Sequence, residues 1–130
     1  ITCVTTSGEP VFDGGKIKKG VHINAVGSFT PTTREIDEQT LLSADRVFVD
    51  TREGVLSEAG DLMIPIKKGV FDPGKAFELG EVISGKAEGR KNDGEITLFK
   101  TVGSAVLDVV TARRIYEKAV SSGACDFIEF

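Results

Sequence analysis

The sequence predicts an α/β fold built on a mostly parallel sheet. Short β-branched runs alternate with segments of helical spacing, the pattern of successive βαβ units. Glycine is frequent, at 15 residues, while proline is held to 4, a balance that suits many tight strand-to-helix turns. The run Val21-His22-Ile23-Asn24-Ala25-Val26-Gly27 is nearly continuous in apolar residues, as expected of a strand covered on both faces. A length of 130 residues is enough for one core of ordinary size. The chain opens on Ile1, without Met, inside what reads as a strand.

Each element has its local reason. Residues 1–5 are β-branched and short, hence a strand, closed by the turn residues of 6–10. Asp13-Gly14-Gly15 is a turn, and residues 21–27 form the second strand. The polar stretch 28–35 is a loop. Residues 37–44 read as a short helix capped by Asp37, with Glu35, Asp37 and Glu38 gathered at its positive end. Residues 46–50 are a third strand. Thr51 caps a second helix running to about Ala59, and Gly60 ends it. The apolar run 62–66 contains Pro65, which excludes it from a central strand. Residues 77–85 read as a weak helix with an internal glycine, followed by a charged, Gly-rich loop at 86–94. Residues 96–100 are a fourth strand. Thr101 or Ser104 caps the best helix, whose Val106, Val109, Val110, Ile115 and Ala119 follow a helical stripe before Gly123.

Composition narrows the function classes. Sixteen basic against twenty acidic residues give a net charge of −4, which argues against a nucleic-acid partner. No apolar run reaches membrane-spanning length. Cys3 and Cys125 make no disulfide framework and read as small buried hydrophobes of a reducing compartment, with the cytoplasm as the default. His22 is the only histidine and no Cys/His cluster exists, so no metal site is expected. His22 itself reads as a satisfied structural histidine, and Glu58 and Asp61, flanking Gly60, as solvated or capping groups.

In open parallel sheets, ligands bind beyond the carboxyl ends of the strands. Three strand ends share a suitable character: Thr5-Thr6-Ser7 with its hydroxyls, Asn24-Ala25-Val26-Gly27 with a glycine that admits close approach, and Thr101-Val102-Gly103-Ser104 at the start of the long helix.

Several segments, in order and spacing, resemble the ornithine cyclodeaminase/mu-crystallin family. They are His22-Ile23-Asn24-Ala25-Val26-Gly27-Ser28-Phe29-Thr30-Pro31, Arg34-Glu35-Ile36-Asp37, Glu58-Ala59-Gly60-Asp61, Glu78-Leu79-Gly80-Glu81-Val82 and Ile96-Thr97-Leu98-Phe99-Lys100-Thr101-Val102-Gly103. The resemblance implies the C-terminal half of a Rossmann-type doubly wound sheet that holds NAD or NADP. A separate domain of such proteins binds the amino or imino acid and forms a homodimer. Family members include ornithine cyclodeaminases, alanine dehydrogenases, ketimine and pyrroline-2-carboxylate reductases, and mu-crystallin, which also binds thyroid hormone.

By the same resemblance, Thr5 lies against the cofactor, and Val26, Gly27, Ser28 and Phe29 form the loop beside the nicotinamide. Thr101 also meets the cofactor, and Val102 faces the substrate. Phe29 stands where cyclodeaminases carry the aspartate credited with acid/base work, and phenylalanine transfers no proton. Thr33 stands where those enzymes carry a cofactor-contacting lysine. Both departures count against ornithine cyclisation; the expected function is an imine or amino-acid oxidoreductase, with ornithine cyclodeaminase or a non-enzymatic small-molecule binder as alternatives. The Gly-rich phosphate turn, the acid that reads the ribose and the substrate-binding Arg and Lys residues belong upstream of Ile1. The chain is therefore expected to be a partial cofactor domain, inactive alone, with an exposed edge at residues 1–5.

Overall fold

The computed structural model describes residues 1–124, 126 and 128. Its five strands, all parallel, form one sheet in the order β1-β2-β5-β3-β4. The strands are β1 (Thr2–Cys3), β2 (His22–Ala25), β3 (Arg46–Val49), β4 (Ala76–Glu78) and β5 (Thr97–Lys100). The last strand in sequence is the central one. Thr97 to Lys100 pair with His22 to Ala25 on one side and with Arg46 to Val49 on the other.

The core lies on one face of this sheet. Ile23, Ala25, Val47, Val49 and Leu98 alternate inward and meet Ile36, Leu41, Val55, Ala59 and Leu62. Those partners come from α1 (Glu38–Ser43), α2 (Arg52–Glu58), α3 (Gly60–Lys67) and their flanks. The opposite face of β2 is not covered by the described residues: His22 is exposed and Asn24 half-exposed. Here the expectation of a strand buried on both faces is corrected.

The first two caps are as expected. Asp37 accepts the Thr40 N–H (2.8 Å) at the start of α1, and Thr51 accepts the Gly54 N–H (3.3 Å) at the start of α2. The second helix ends where expected, at Glu58 with Ala59 as its C-cap, but Gly60 at once begins a further helix, α3. Its position is fixed by close approach: a Cβ there would fall 2.9 Å from the Pro31 carbonyl oxygen and 3.1 Å from that of Thr30. Residues 62–66, left without an assignment by Pro65, belong to α3. Burial of Leu62 and Pro65 against the sheet outweighs the roughly 3 kcal/mol that an interior proline costs a helix.

The expected helix at 77–85 is instead an edge strand, β4, followed by α4 (Leu79–Ile83). The cause is tertiary. Ala76 and Phe77 pair with Val47 and Phe48, and Arg52 pins the junction. Its Nε donates to Ala76 O (2.8 Å), its backbone N–H to Glu78 (2.8 Å), and its Nη2 to Glu81 (2.7 Å). The charged loop at 86–94 is also tied down. Arg90 Nη2 donates to the carbonyls of Gly20, Val21 and Glu95.

The closing helix α5 (Ala105–Ser122) ends on Gly123 in the left-handed conformation, φ 66°. Its apolar stripe does not join the core: Val106, Val109, Val110 and Ile115 all stay more than half exposed. At the other end of the chain, the Ile1 amine donates to His22 O (2.8 Å), and β1 pairs through only two residues. Cys3 is buried as expected, whereas Cys125 lies outside the described residues. No helix among the described residues is long and apolar enough to cross a membrane.

Two measurements test this packing. Leu98→Ala, at the fully buried centre of the sheet, should cost about 3 kcal/mol in urea denaturation. Glu38 meets Lys68 (2.5 Å) and Arg34 (3.2 Å), and these hydrogen-bonded cations hold its pKa down, from an ordinary 4.5 to about 2. An acid depressed on folding adds stability above its unfolded pKa and loses it as pH falls through the folded one. The stability difference between wild type and Glu38→Gln should therefore be about 1 kcal/mol near neutrality, given the half-exposed Lys68. It should shrink between pH 4.5 and 2.

Candidate functional site

Because every strand runs the same way, all carboxyl ends share one edge. The sheet order sets the end of β1 beside that of β2, then β5, then β3. Thr5, the loop at 26–29 and Thr101-Val102 are thus neighbours across the edge, as the strand-end reasoning requires. Backbone bonds join them: Val26 N–H donates to Cys3 O (2.9 Å) and Thr101 N–H to Ala25 O (3.3 Å).

Behind the first two turns sits a carboxylate with no exposure at all. Glu35 accepts the N–H of Thr5 (2.5 Å) on one oxygen, and those of Gly27 (2.8 Å) and Ser28 (3.3 Å) on the other. Burial alone would raise its pKa, but these N–H donors, with the Thr5 side chain, outweigh burial and hold it below the ordinary carboxylate value. Gly27 is required here, since a Cβ would overlap the Thr5 backbone and lie 2.6 Å from Glu35 Oε1. Asp61, also buried, accepts the N–H groups of Glu35 (2.6 Å) and Ile36 (3.0 Å) on Oδ1. Its Oδ2 takes no aligned hydrogen bond and is met by the buried Lys100 ammonium at 2.9 Å. Lys100 Nζ in turn donates to Ser28 O (2.5 Å). Burial pushes the neighbouring Cys3 thiol up, and the charges of Glu35 and Asp61 push it the same way, so it stays protonated.

A second carboxylate organises the next strand ends. Asp50 Oδ2, at the end of β3, accepts the Thr101 hydroxyl (2.5 Å) and the N–H groups of Val102 (3.2 Å) and Gly103 (3.1 Å). Its Oδ1 accepts the Thr51 N–H (2.8 Å). A cleft of about 350 Å³ adjoins it, lined by Asp50, Thr51, Leu79, Ile83, Val106 and Leu107.

The expected site residues divide by orientation. Thr5 is exposed, as are Val26 (41%) and Phe29 (55%). Gly27 lies between the turns. Ser28 is buried, with its hydroxyl donated to Thr33 O (2.8 Å), so it acts on the inside of the loop. Thr33 is half-buried and shares a hydrogen bond with Thr30 (2.8 Å between hydroxyls). Thr101 spends its hydroxyl on Asp50, and Val102 packs partly against the core. His22 is satisfied by Thr97 (2.7 Å) and Asn24 (3.0 Å).

Sequence reasoning missed the carboxylates and the lysine that hold this edge. Glu35 was expected at a helix terminus, yet it turns inward, and only Asp37 caps that helix. Asp61 was expected in a solvated or capping role; it does cap two N–H groups, but within the core. One signal was available for Lys100: it shares strand parity with Ile96 and Leu98, which places it on the buried face. Thr101→Val removes the hydroxyl from Asp50 and leaves its three N–H donors; it should cost about 1–2 kcal/mol by urea denaturation.

Comparison with known proteins agrees with this architecture. Residues 1–123 match the ornithine cyclodeaminase/mu-crystallin family. A Delta(1)-pyrroline-2-carboxylate reductase of Bacillus thuringiensis subsp. konkukian is 48% identical over the whole chain, which spans 40% of that protein. The structure of the Thermococcus litoralis Delta(1)-pyrroline-2-carboxylate reductase, in complex with NADH and L-proline, superposes with a TM-score of 0.85 at 47% identity, over 94% of this chain and 38% of that one. An archaeal alanine dehydrogenase dimer with bound NAD gives 0.81 at 35% identity, over 99% of this chain and 40% of the other. The chain thus spans about two-fifths of the length of these relatives. It belongs to the ornithine cyclodeaminase/mu-crystallin family.

Proposed function

We propose that the protein carrying this chain is an NAD(P)H-dependent reductase of cyclic imino acids, of the pyrroline-2-carboxylate reductase kind. This chain would supply the half of the dinucleotide site that receives the nicotinamide. The observation that carries the reading is the loop at 26–29. It sits at the carboxyl edge of a parallel sheet and exposes Val26 and Phe29. The carboxylate that binds its backbone, Glu35, is wholly turned inward. An exposed apolar surface at a sheet edge suits a planar ring that exchanges a hydride, whereas cyclodeamination calls for an acid/base group where Phe29 stands.

The residues present fit a dinucleotide. Gly27, with no Cβ, lets the first two strand ends close on each other, and Thr5 is left exposed beside them. When bound, the cofactor supplies the hydride. The chain's own residues orient the ring: Thr5 from one turn, Val26 and Phe29 from the next, and Thr101 through its tie to Asp50. Val102 would meet the substrate from the head of α5. The phosphate-binding turn and the groups that hold the substrate carboxylate are assigned to a further part of the protein. The names of the Bacillus and Thermococcus relatives support the substrate class, and the archaeal alanine dehydrogenase dimer supports a homodimeric assembly.

The test is steady-state turnover of the full-length protein with pyrroline-2-carboxylate and NADH or NADPH, followed by absorbance loss at the reduced nicotinamide band. Oxidation of the cofactor that depends on the imine is expected. Ammonia and proline released from ornithine, with no reduction of any cyclic imine, would replace this reading with cyclodeamination.

A further inference from the structure

We propose that Glu35 is a positioning residue for the nicotinamide end of the cofactor, acting with Lys100 and Asp61 to fix the spacing of the Thr5 and Val26–Phe29 turns without touching the ring. This inference rests on the proposed function. Its basis is a closed circuit of buried charge. Glu35 holds the Ser28 N–H, Lys100 holds the Ser28 carbonyl, Asp61 meets Lys100, and Asp61 also holds the Glu35 N–H. The Ser28 peptide is therefore gripped from both sides. Glu35 extends the grip to Gly27 and, across to the neighbouring strand end, to Thr5.

Glu35, Asp61 and Lys100 have no exposed surface. Two buried carboxylates and one buried ammonium, which meets Asp61, leave a surplus negative charge spread over five backbone N–H donors. Fold stability calls for acceptors for these N–H groups but not for the ion pair itself, because apolar side chains often replace buried ion pairs without loss. What ionic groups with fixed geometry add is a single conformation for the peptides they hold. Here those peptides carry Val26 and Phe29, the two exposed apolar side chains of the proposed ring site. The charges lie on the inner side of the turns, and the ring would lie on the outer side. A misplacement of the turns would therefore act on ring orientation and leave the adenosine end of the dinucleotide untouched.

The experiment compares wild-type full-length protein with Glu35→Gln and Glu35→Asp. It measures the thermal midpoint, the Kd for NADH, the Kd for ADP-ribose (which lacks the nicotinamide), and kcat and KM for the imine. Glu35→Gln puts an amide donor against N–H groups and should weaken NADH binding about tenfold, with ADP-ribose affinity within about twofold of wild type. Its kcat should fall by up to about 100-fold, more than KM changes, as expected for a misplaced reactant. Glu35→Asp keeps the charge on a shorter stem and should recover part of both losses. It also serves as the test if Glu35→Gln does not fold. Equal losses for NADH and ADP-ribose, or wild-type values for both in folded variants, would overturn the proposal alone. A wild-type protein that binds neither ligand would overturn the cofactor reading and this inference with it.

Discussion

Lys100 ends the central strand with its ammonium in the protein interior, and much of the carboxyl edge of the sheet is arranged around that charge. The ammonium reaches the carbonyl of Ser28 and the carboxylate of Asp61. Asp61 in turn fixes the backbone at Glu35, and Glu35 gathers the N–H groups of two separate turns. Removal of any one member would strand a buried charge, so the members depend on each other far more than their sequence separation suggests. The glycines at 27 and 60 belong to the same arrangement. Each sits where a Cβ would collide with backbone that the charged groups or the neighbouring loop hold in place.

This constraint divides the molecule by face. Toward α1, α2 and α3 the sheet is packed with aliphatic side chains. On the other side His22 is exposed and Asn24 half-exposed, and the stripe of α5 also remains open among the described residues. A parallel sheet ordinarily has both faces covered. The relatives of this chain are about two and a half times its length, so the open surfaces coincide with a family whose members have more structure to place on them.

Chemically, the edge separates charge from its outward surface. Its ionised groups point inward or into local caps, while the residues offered outward from the 26–29 loop are apolar.

The sequence by itself determined the parallel α/β class, four of the five strands, the caps at Asp37 and Thr51, and the three strand ends that share the carboxyl edge of the sheet. These follow from local chemistry: β-branched runs, short polar caps and glycines after strands are decided by the residues and their near neighbours. Tertiary structure alone decided that residues 76–78 form an edge strand beside β3, that α3 runs through Pro65, and that the stripe of α5 stays out of the core. It also decided that Glu35, Asp61 and Lys100 meet. For β4, α3 and the buried charges the deciding partner lies far along the chain: Val47 and Arg52 for β4, the sheet for α3, and the residues from 28 to 100 for the charges. A carboxylate beside a helix start looks the same in sequence whether it caps in solvent or pairs in the interior. Only the fold sets which N–H groups and which cation it faces.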